Sequence, residues 1–321
     1  TDWGLPYLPR SALEQRRSDE LMERREETEK RTVPYGCRFL LAAVDVQGGR
    51  NRRFVVQIVG YGENSERWLI DRYNIKSSMR SNSEGESLPI DPSAYPEDWD
   101  LLISDVLNKQ YRIEGLDGGF MPILAMAVDS GGENGVTDNA YKFWRRCKRD
   151  GISKRVYLVK GDSTKRQKLI SRTYPDNTSR SDRHAQARGD VPLYLLQTDQ
   201  LKDRISNALS RETIGANYIH FPSWLGEWFF DELTYEERGQ DGKWRKPGKG
   251  NNEAFDLFCY AHAIAILRGY ERIKWGDEDN VPYWAKLPGL NPDVIRKETT
   301  APEEETESAV EIEQVKLLSL I

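Results

Sequence analysis

Hydrophobic positions along the chain fall into short blocks whose spacing changes several times. Residues 38–46 (RFLLAAVDV) are almost continuously apolar until an aspartate interrupts them, the pattern of a strand covered on both faces. Residues 53–61 and 67–75 follow after Gly48-Gly49 and Gly62-Glu63-Asn64, so three strands joined by tight turns predict an antiparallel meander. Leu101, Leu102, Ile103, Val106 and Leu107 form a helical stripe within residues 99–110. Residues 121–129 (MPILAMAVD) predict another buried strand, residues 138–149 a capped helix, and residues 155–160 a fifth strand. Further on, residues 191–197 and 218–221 suit short strands, 198–210 a helix, 240–250 a Gly-rich hairpin, and 252–269 a helix closed by Gly269.

The first three strands are joined too closely for crossover helices, which separates this order from a repeating βαβ pattern. Strand, strand, strand, helix, strand, helix, strand is the order of an α/β, ribonuclease H-like mixed sheet: three antiparallel strands, then parallel strands, flanked by helices. That arrangement sets the first and fourth strands side by side and parallel at the sheet's centre.

The ends differ from this middle. Residues 11–31 interleave seven acids with six bases among few apolar positions, which predicts an exposed charged helix acting as a connector over residues 1–33. Residues 34–275 form the expected folded domain, and residues 276–321 an acidic C-terminal tail. The chain begins with Thr1 rather than Met, which points to a piece of a longer protein.

Charge and cysteine usage narrow the chemistry. The net charge of -5 conceals fifteen Lys/Arg against four acids between residues 142 and 188, and seven Glu without a base from residue 298 to 313. A basic surface joined to an acidic tail suits a polyanionic partner despite the acidic balance. No apolar run approaches the roughly 20 residues of a bilayer-spanning helix, so no membrane role is expected. Cys37, Cys147 and Cys259 lie far apart with no CxxC pair, which fits a reducing cytoplasm. His184, His220 and His262 cannot supply a zinc cluster, so a metal would be held by carboxylates and would be Mg²⁺ or Mn²⁺. A P-loop and a GxSxG elbow are both missing, and His220 and His262 read as structural residues.

Two acids interrupt apolar strands, Asp45 in AAVDVQ and Asp129 in MAVDSGG. Taken singly, each reads first as a turn or cap residue. Together they become specific, because the expected topology makes their strands neighbours with both acids near one end. Asp256 lies one turn into the apolar helix NNEAFDLFCYAHAIAIL, at the border of its buried face. Three carboxylates converging in a partly dry site repel one another unless cations neutralise them. Two divalent ions about 4 Å apart would do so, and such a pair hydrolyses phosphodiesters. Asp71, on the third strand, reads as the partner of an arginine.

These residues carry a resemblance. Val33-Pro34, LAAVDVQ, Gly60-Tyr61-Gly62, WLID, AVDSGG, Val159-Lys160-Gly161, His220-Phe221-Pro222, Glu232-Leu233-Thr234 and NEAFD with Tyr260-Ala261 resemble the C-terminal nuclease domain of large terminase subunits of tailed bacteriophages, lambda-like branch. The resemblance covers about residues 33–270. It implies a metal-dependent endonuclease of a DNA-packaging motor, cutting concatemeric phage DNA, with an ATPase half outside this chain. It places the catalytic and metal-binding acids on Asp45, Asp129 and Asp256. Its implied partners are double-stranded DNA, the small terminase subunit, and the portal or prohead docked through the C-terminal tail, all in the host cytoplasm during assembly. Lys160 would contact the scissile phosphate, and Lys165, Arg166, Lys168 and Arg172 would line the DNA path. Other readings are an exonuclease, resolvase or strand transferase on the same fold, or a non-catalytic module gripping DNA or the portal.

Overall fold

The computed structural model describes residues 18–162, 168–175 and 189–297. Its central sheet contains β1 (Phe39–Gln47), β2 (Arg53–Tyr61), β3 (Arg67–Ile75), β4 (Gly119–Asp129), β5 (Val156–Gly161), β6 (Ile170–Thr173), β7 (Leu193–Leu196) and β8 (Ile219–Pro222). They lie in the order β8-β3-β2-β1-β4-β5-β7-β6. β1, β2 and β3 pair antiparallel, whereas β1 with β4, β4 with β5, and β5 with β7 pair parallel. The run β3-β2-β1-β4-β5 is the ribonuclease H-like arrangement, so the fold expected from the strand order stands.

Alternation along the strands divides the core in two. Phe39, Leu41 and Ala43 of β1 face one layer with Ala125 and Ala127 of β4; Leu40, Ala42 and Val44 face the other with Met126 and Val128. The first layer is covered by α1 (Ser18–Glu23), α3 (Thr198–Leu209), α4 (Glu227–Thr234) and α5 (Glu253–Leu267). The second is covered by α2 (Val136–Arg149) and the segment around Trp99. Helix α5 is buried on nearly every side, because Phe255, Leu257, Phe258, Cys259, Ala261 and Ile264 leave no polar face wide enough for solvent.

The ladder between the two central strands contains one irregularity. β4 runs in register with β1 through Leu40↔Ile123 and then resumes at Leu41↔Ala125, so Leu124 is an extra residue bulged from the pairing.

Three expectations need correction. The charged helix expected over residues 11–31 is confined, among the described residues, to Ser18–Glu23. Beyond it Arg25–Glu26 pairs with β8, and Leu21 is fully buried, so this segment belongs to the folded body and not to an exposed connector. An edge strand offers backbone partners that outweigh the helix propensity of a Glu/Arg run. Residues 99–110 form no regular α-helix; Pro96–Asp100 is a 3₁₀ turn, Ile103–Leu107 a π-turn, and Gln110–Ile113 a strand against β4. The segment from residue 276 is not tail throughout, since Val281, Trp284, Ala285 and Val294 are buried and Ile295–Arg296 pairs with β4. Residues 298–321 lie outside the described residues.

Candidate active site

β1 and β4 end in the two aspartates. Val44 pairs with Val128, so Asp45 and Asp129 come next on adjacent parallel strands about 4.8 Å apart. Asp45 follows Leu41 and Ala43 in parity, and Asp129 follows Ala125 and Ala127, so both carboxylates leave the sheet on the face covered by α5. Helix α5 presents Glu253, Asp256 and Tyr260 at i, i+3 and i+7, one stripe near its N-terminus. The Tyr260 hydroxyl donates to Asp129 Oδ2 at 3.2 Å and the Gly131 amide to Asp129 Oδ1 at 2.8 Å. Gln47 Nε2 donates to Asp45 Oδ2.

The acids act on one another. Burial, followed by the charge of Asp129, pushes the Asp45 carboxyl up to about 7, with Asp256 and Glu253 adding to the rise and Gln47 opposing it. Burial also raises Asp129, aided by Asp256 and opposed by Gly131, Tyr260 and Lys160. Tyr260 is held well above the ordinary phenol range by burial and by the charges of Asp129, Asp256 and Asp45.

Asp256 itself is engaged elsewhere. Its Oδ1 lies 2.8 Å from Lys202 Nζ and its Oδ2 accepts from Asn252 Nδ2 at 2.7 Å. Lys202, buried in the apolar stripe of α3, also contacts both oxygens of Glu236 at 2.7 Å, and Asn252 reaches Glu236 as well. Burial would pull the ammonium down, but Asp256 and Glu236 hold it above its ordinary value. Among the described residues no three His, Cys, Asp or Glu side chains approach closely enough to hold one ion between them. The three aspartates therefore share one electrostatic neighbourhood, with the third carboxylate turned towards an internal ammonium.

On the far side of Asp45, Glu253 pairs with Arg53 (3.3 Å) while its buried Oε2 has no hydrogen-bond partner. Arg72 Nη2 donates to Glu232 Oε2 at 2.8 Å, and the same oxygen accepts the Ala254 amide at the start of α5.

The basic candidates separate. Lys160 is exposed at the end of β5; by parity it leaves the opposite face from Asp129, although its charge reaches that carboxylate. Asp129, Val159, Tyr194 and Arg172 form one row across β4, β5, β7 and β6. Three strand spacings put Arg172 about 14 Å from Asp129, on the same face. Lys168 is exposed nearby in sequence, and Lys165 and Arg166 lie outside the described residues. Asp71 is fully buried and meets Arg31 Nε at 3.2 Å, Lys109 Nζ at 3.6 Å and the Tyr111 hydroxyl at 3.0 Å, the ion pair expected of it. His220 stacks on Trp68 between Glu26 and Glu66, and His262 is packed on α5 beside Arg67; both are structural.

Sequence reasoning gave no role to Lys202, Glu236, Glu253 or Tyr260. The i, i+3, i+7 spacing on α5 and a lysine inside the stripe Leu201, Ile205, Ala208 and Leu209 were the available signals.

Comparison with known proteins adds a family. The sequence family described as "Terminase large subunit gpA, endonuclease domain" matches residues 1–275. The large terminase subunit of Escherichia phage lambda is 27% identical over 265 residues, covering 78% of this chain and 35% of that protein. The chain thus spans about a third of the length of this curated relative. Among solved structures, the large terminase of a thermophilic bacteriophage is similar at 14% identity and a TM-score of 0.34, over 73% of this chain and 42% of that one. A mutant nuclease domain of the large terminase subunit gp2 of bacterial virus Sf6, solved with manganese and beta-thujaplicinol, is similar at 12% identity and a TM-score of 0.34, over 75% and 91% of the two chains.

Proposed function

The chain belongs to the terminase large subunit gpA endonuclease family, and on that premise we propose that it hydrolyses phosphodiester bonds of double-stranded DNA with divalent cations held by Asp45, Asp129 and Asp256. The observation that carries the proposal is the common face and common end on which β1, β4 and α5 bring these acids together. The donor set fits the ions. Each carboxylate offers hard oxygens suited to Mg²⁺ or Mn²⁺, and the raised pKa of Asp45 and of Asp129 marks negative charge that the surrounding protein leaves under-compensated. A bound pair of such ions supplies an activated water and stabilises the departing 3′-oxygen.

The chain's own groups prepare that chemistry. Tyr260 and the Gly131 amide fix the Asp129 carboxylate, and Gln47 fixes that of Asp45. Lys202 and Asn252 hold the Asp256 carboxylate, which would turn from them to join the other two when a cation binds. The exposed Arg172 sits on the acids' face about 14 Å away, close to the roughly 12 Å width of a duplex major groove, which suits backbone contact on either side of a cut. Lys160 would reach phosphate from the rim, and Lys165, Arg166 and Lys168 would extend the same path.

The proposal extends to the packaging setting: cutting of concatemeric phage DNA in the host cytoplasm, with the small terminase subunit as a partner and the portal or prohead docked through the acidic C-terminal tail. No helix among the described residues is long and apolar enough to cross a membrane.

The test is cleavage of closed circular DNA with Mn²⁺ and with EDTA by wild type, Asp45→Asn and Asp129→Asn. Cation-dependent opening of the circle by wild type, lost in both variants with DNA binding retained, is the expected result. Unchanged cutting by either variant removes that acid from the centre, and an inability to open a circle that coexists with degradation of linear DNA makes the protein an exonuclease.

A further inference from the structure

At the opposite end of the sheet from the aspartates lies a second polar cleft, of about 240 Å³, to which the nuclease reading gives no role. β3 begins there with Arg67, and near its other end Asn74 stands level with Asp45 through Val55. Along the strand this separates the two places by on the order of 20 Å.

Arg67 is 1% exposed, and its Nε and Nη1 have no hydrogen-bond partner. Nη2 donates to His262 Nδ1 at 3.3 Å, and the guanidinium lies 5.6 Å from the centroid of the Tyr61 ring. Arginine can only donate, so His262 Nδ1 accepts and the ring proton sits on Nε2. Burial, followed by Arg67 and Arg204, holds His262 well below its ordinary pKa, so this neighbour is neutral and leaves the arginine's charge uncompensated. Among the described residues no ion pair involves Arg67. A buried guanidinium with two idle donors is costly unless something anionic reaches it.

The walls of the cleft supply more positive charge. Arg204 and the exposed Arg211 lie at i and i+7 on and just beyond α3, and both line it. The single acid among the lining residues, Glu271, is already 2.5 Å from Arg204. Three guanidinium groups against one carboxylate leave a net charge of +2 around a concave space. Planar guanidinium forks match tetrahedral oxyanions in geometry as well as in charge. The volume falls below the roughly 300 Å³ at which sites for drug-sized ligands begin, so it suits a group of phosphate size.

We propose that Arg67, Arg204 and Arg211 form a phosphate-binding pocket separate from the metal centre, taking either a free phosphate ion or a phosphate of a nucleic-acid strand. In the first case the ligand fills the cleft alone; in the second the strand crosses its mouth and inserts one phosphate.

Titration calorimetry of the 321-residue chain with inorganic phosphate, in EDTA and at constant ionic strength maintained with chloride, tests this. Saturable one-site binding is expected in the wild type and equally in Asp45→Asn. The Kd should rise at least tenfold in the Arg204→Gln, Arg211→Gln double variant. Arg67→Met should lose binding while keeping, or raising, the Tm measured in chloride. Should Arg67→Met fail to fold, the rim double variant decides alone. Competition identifies the source: displacement of phosphate by a 12-base-pair duplex assigns a strand phosphate, whereas displacement by pyrophosphate only assigns a free ion. No saturable phosphate binding, or a rim double variant that binds as tightly as wild type, overturns the proposal.

Discussion

Replacing Asp45 by Asn is expected to make the cation-free protein more stable, and the gain should grow with pH. Burial, and behind it the charge of Asp129, lifts the Asp45 carboxyl from 3.8 to about 7. An acid whose folded pKa is raised costs little below its unfolded pKa; the cost then mounts until pH passes the folded pKa, where it levels off. Roughly 3 pH units at 1.36 kcal/mol each give a ceiling of about 4 kcal/mol near pH 8 and about 2 kcal/mol near pH 5. Asp45 keeps partial contact with solvent, which brings the alkaline figure to about 2–4 kcal/mol. Asparagine retains an oxygen able to accept from Gln47 Nε2, so the exchange removes charge and little else. For a domain of this size that corresponds to a rise in Tm of about 4–12 °C. Scanning calorimetry in EDTA at both pH values should show the larger gain at the higher one. Added Mn²⁺ should then raise the Tm of wild type more than that of the variant, because only the former has a full set of acids to neutralise. An Asn variant less stable than wild type in alkaline EDTA, or one whose gain is the same at both pH values, would refute the reasoning by showing that the Asp45 charge is already compensated.

Three further outcomes are expected. Lys202→Met strands Glu236 and Asp256 without their shared ammonium and should destabilise the fold by about 3–5 kcal/mol, partly recovered by Mn²⁺ in a thermal melt. Arg172→Gln should weaken duplex binding about equally for all sequences and reduce the slope of log K against log salt by about 0.9, as read by fluorescence anisotropy across a salt series. Leu21→Ala should cost about 2–5 kcal/mol in urea denaturation, the signature of a core residue, whereas a residue in a detached connector would cost almost nothing.

The strands, and the placement of Asp45 and Asp129 at the ends of neighbouring ones, were legible because period-two and continuous apolar runs report burial directly, and an acid closing such a run is conspicuous. What sequence could not supply was partnership. The Glu/Arg stretch after Ser18 has helix propensity throughout, yet the backbone of β8 captures Arg25–Glu26, and Leu21 supplies the single apolar anchor. Residues 99–110 carry a helical stripe, but Trp99, packed against Phe54 and Phe143, is seated by a tighter turn than an α-helix allows. The residues from Val281 to Val294 look patternless because they fill gaps in a core built by distant elements. Lys202 was invisible for a related reason: a lysine reads as solvent-facing unless the two carboxylates that meet it, 34 and 54 positions further along the chain, are known.

The bulge at Leu124 has a consequence for how the centre tolerates change. Had β4 continued from Ile123 in unbroken pairing, with Leu124 opposite Leu41, Val128 would stand opposite Asp45, and Asp129 would point away from α5 into the layer filled by Phe143 and Trp99. The meeting of the two acids is therefore a matter of counting. Substitutions between Ile123 and Asp129 adjust packing, but closing the bulge with every residue retained would turn Asp129 away and disarm the proposed site while leaving every one of its side chains in the protein.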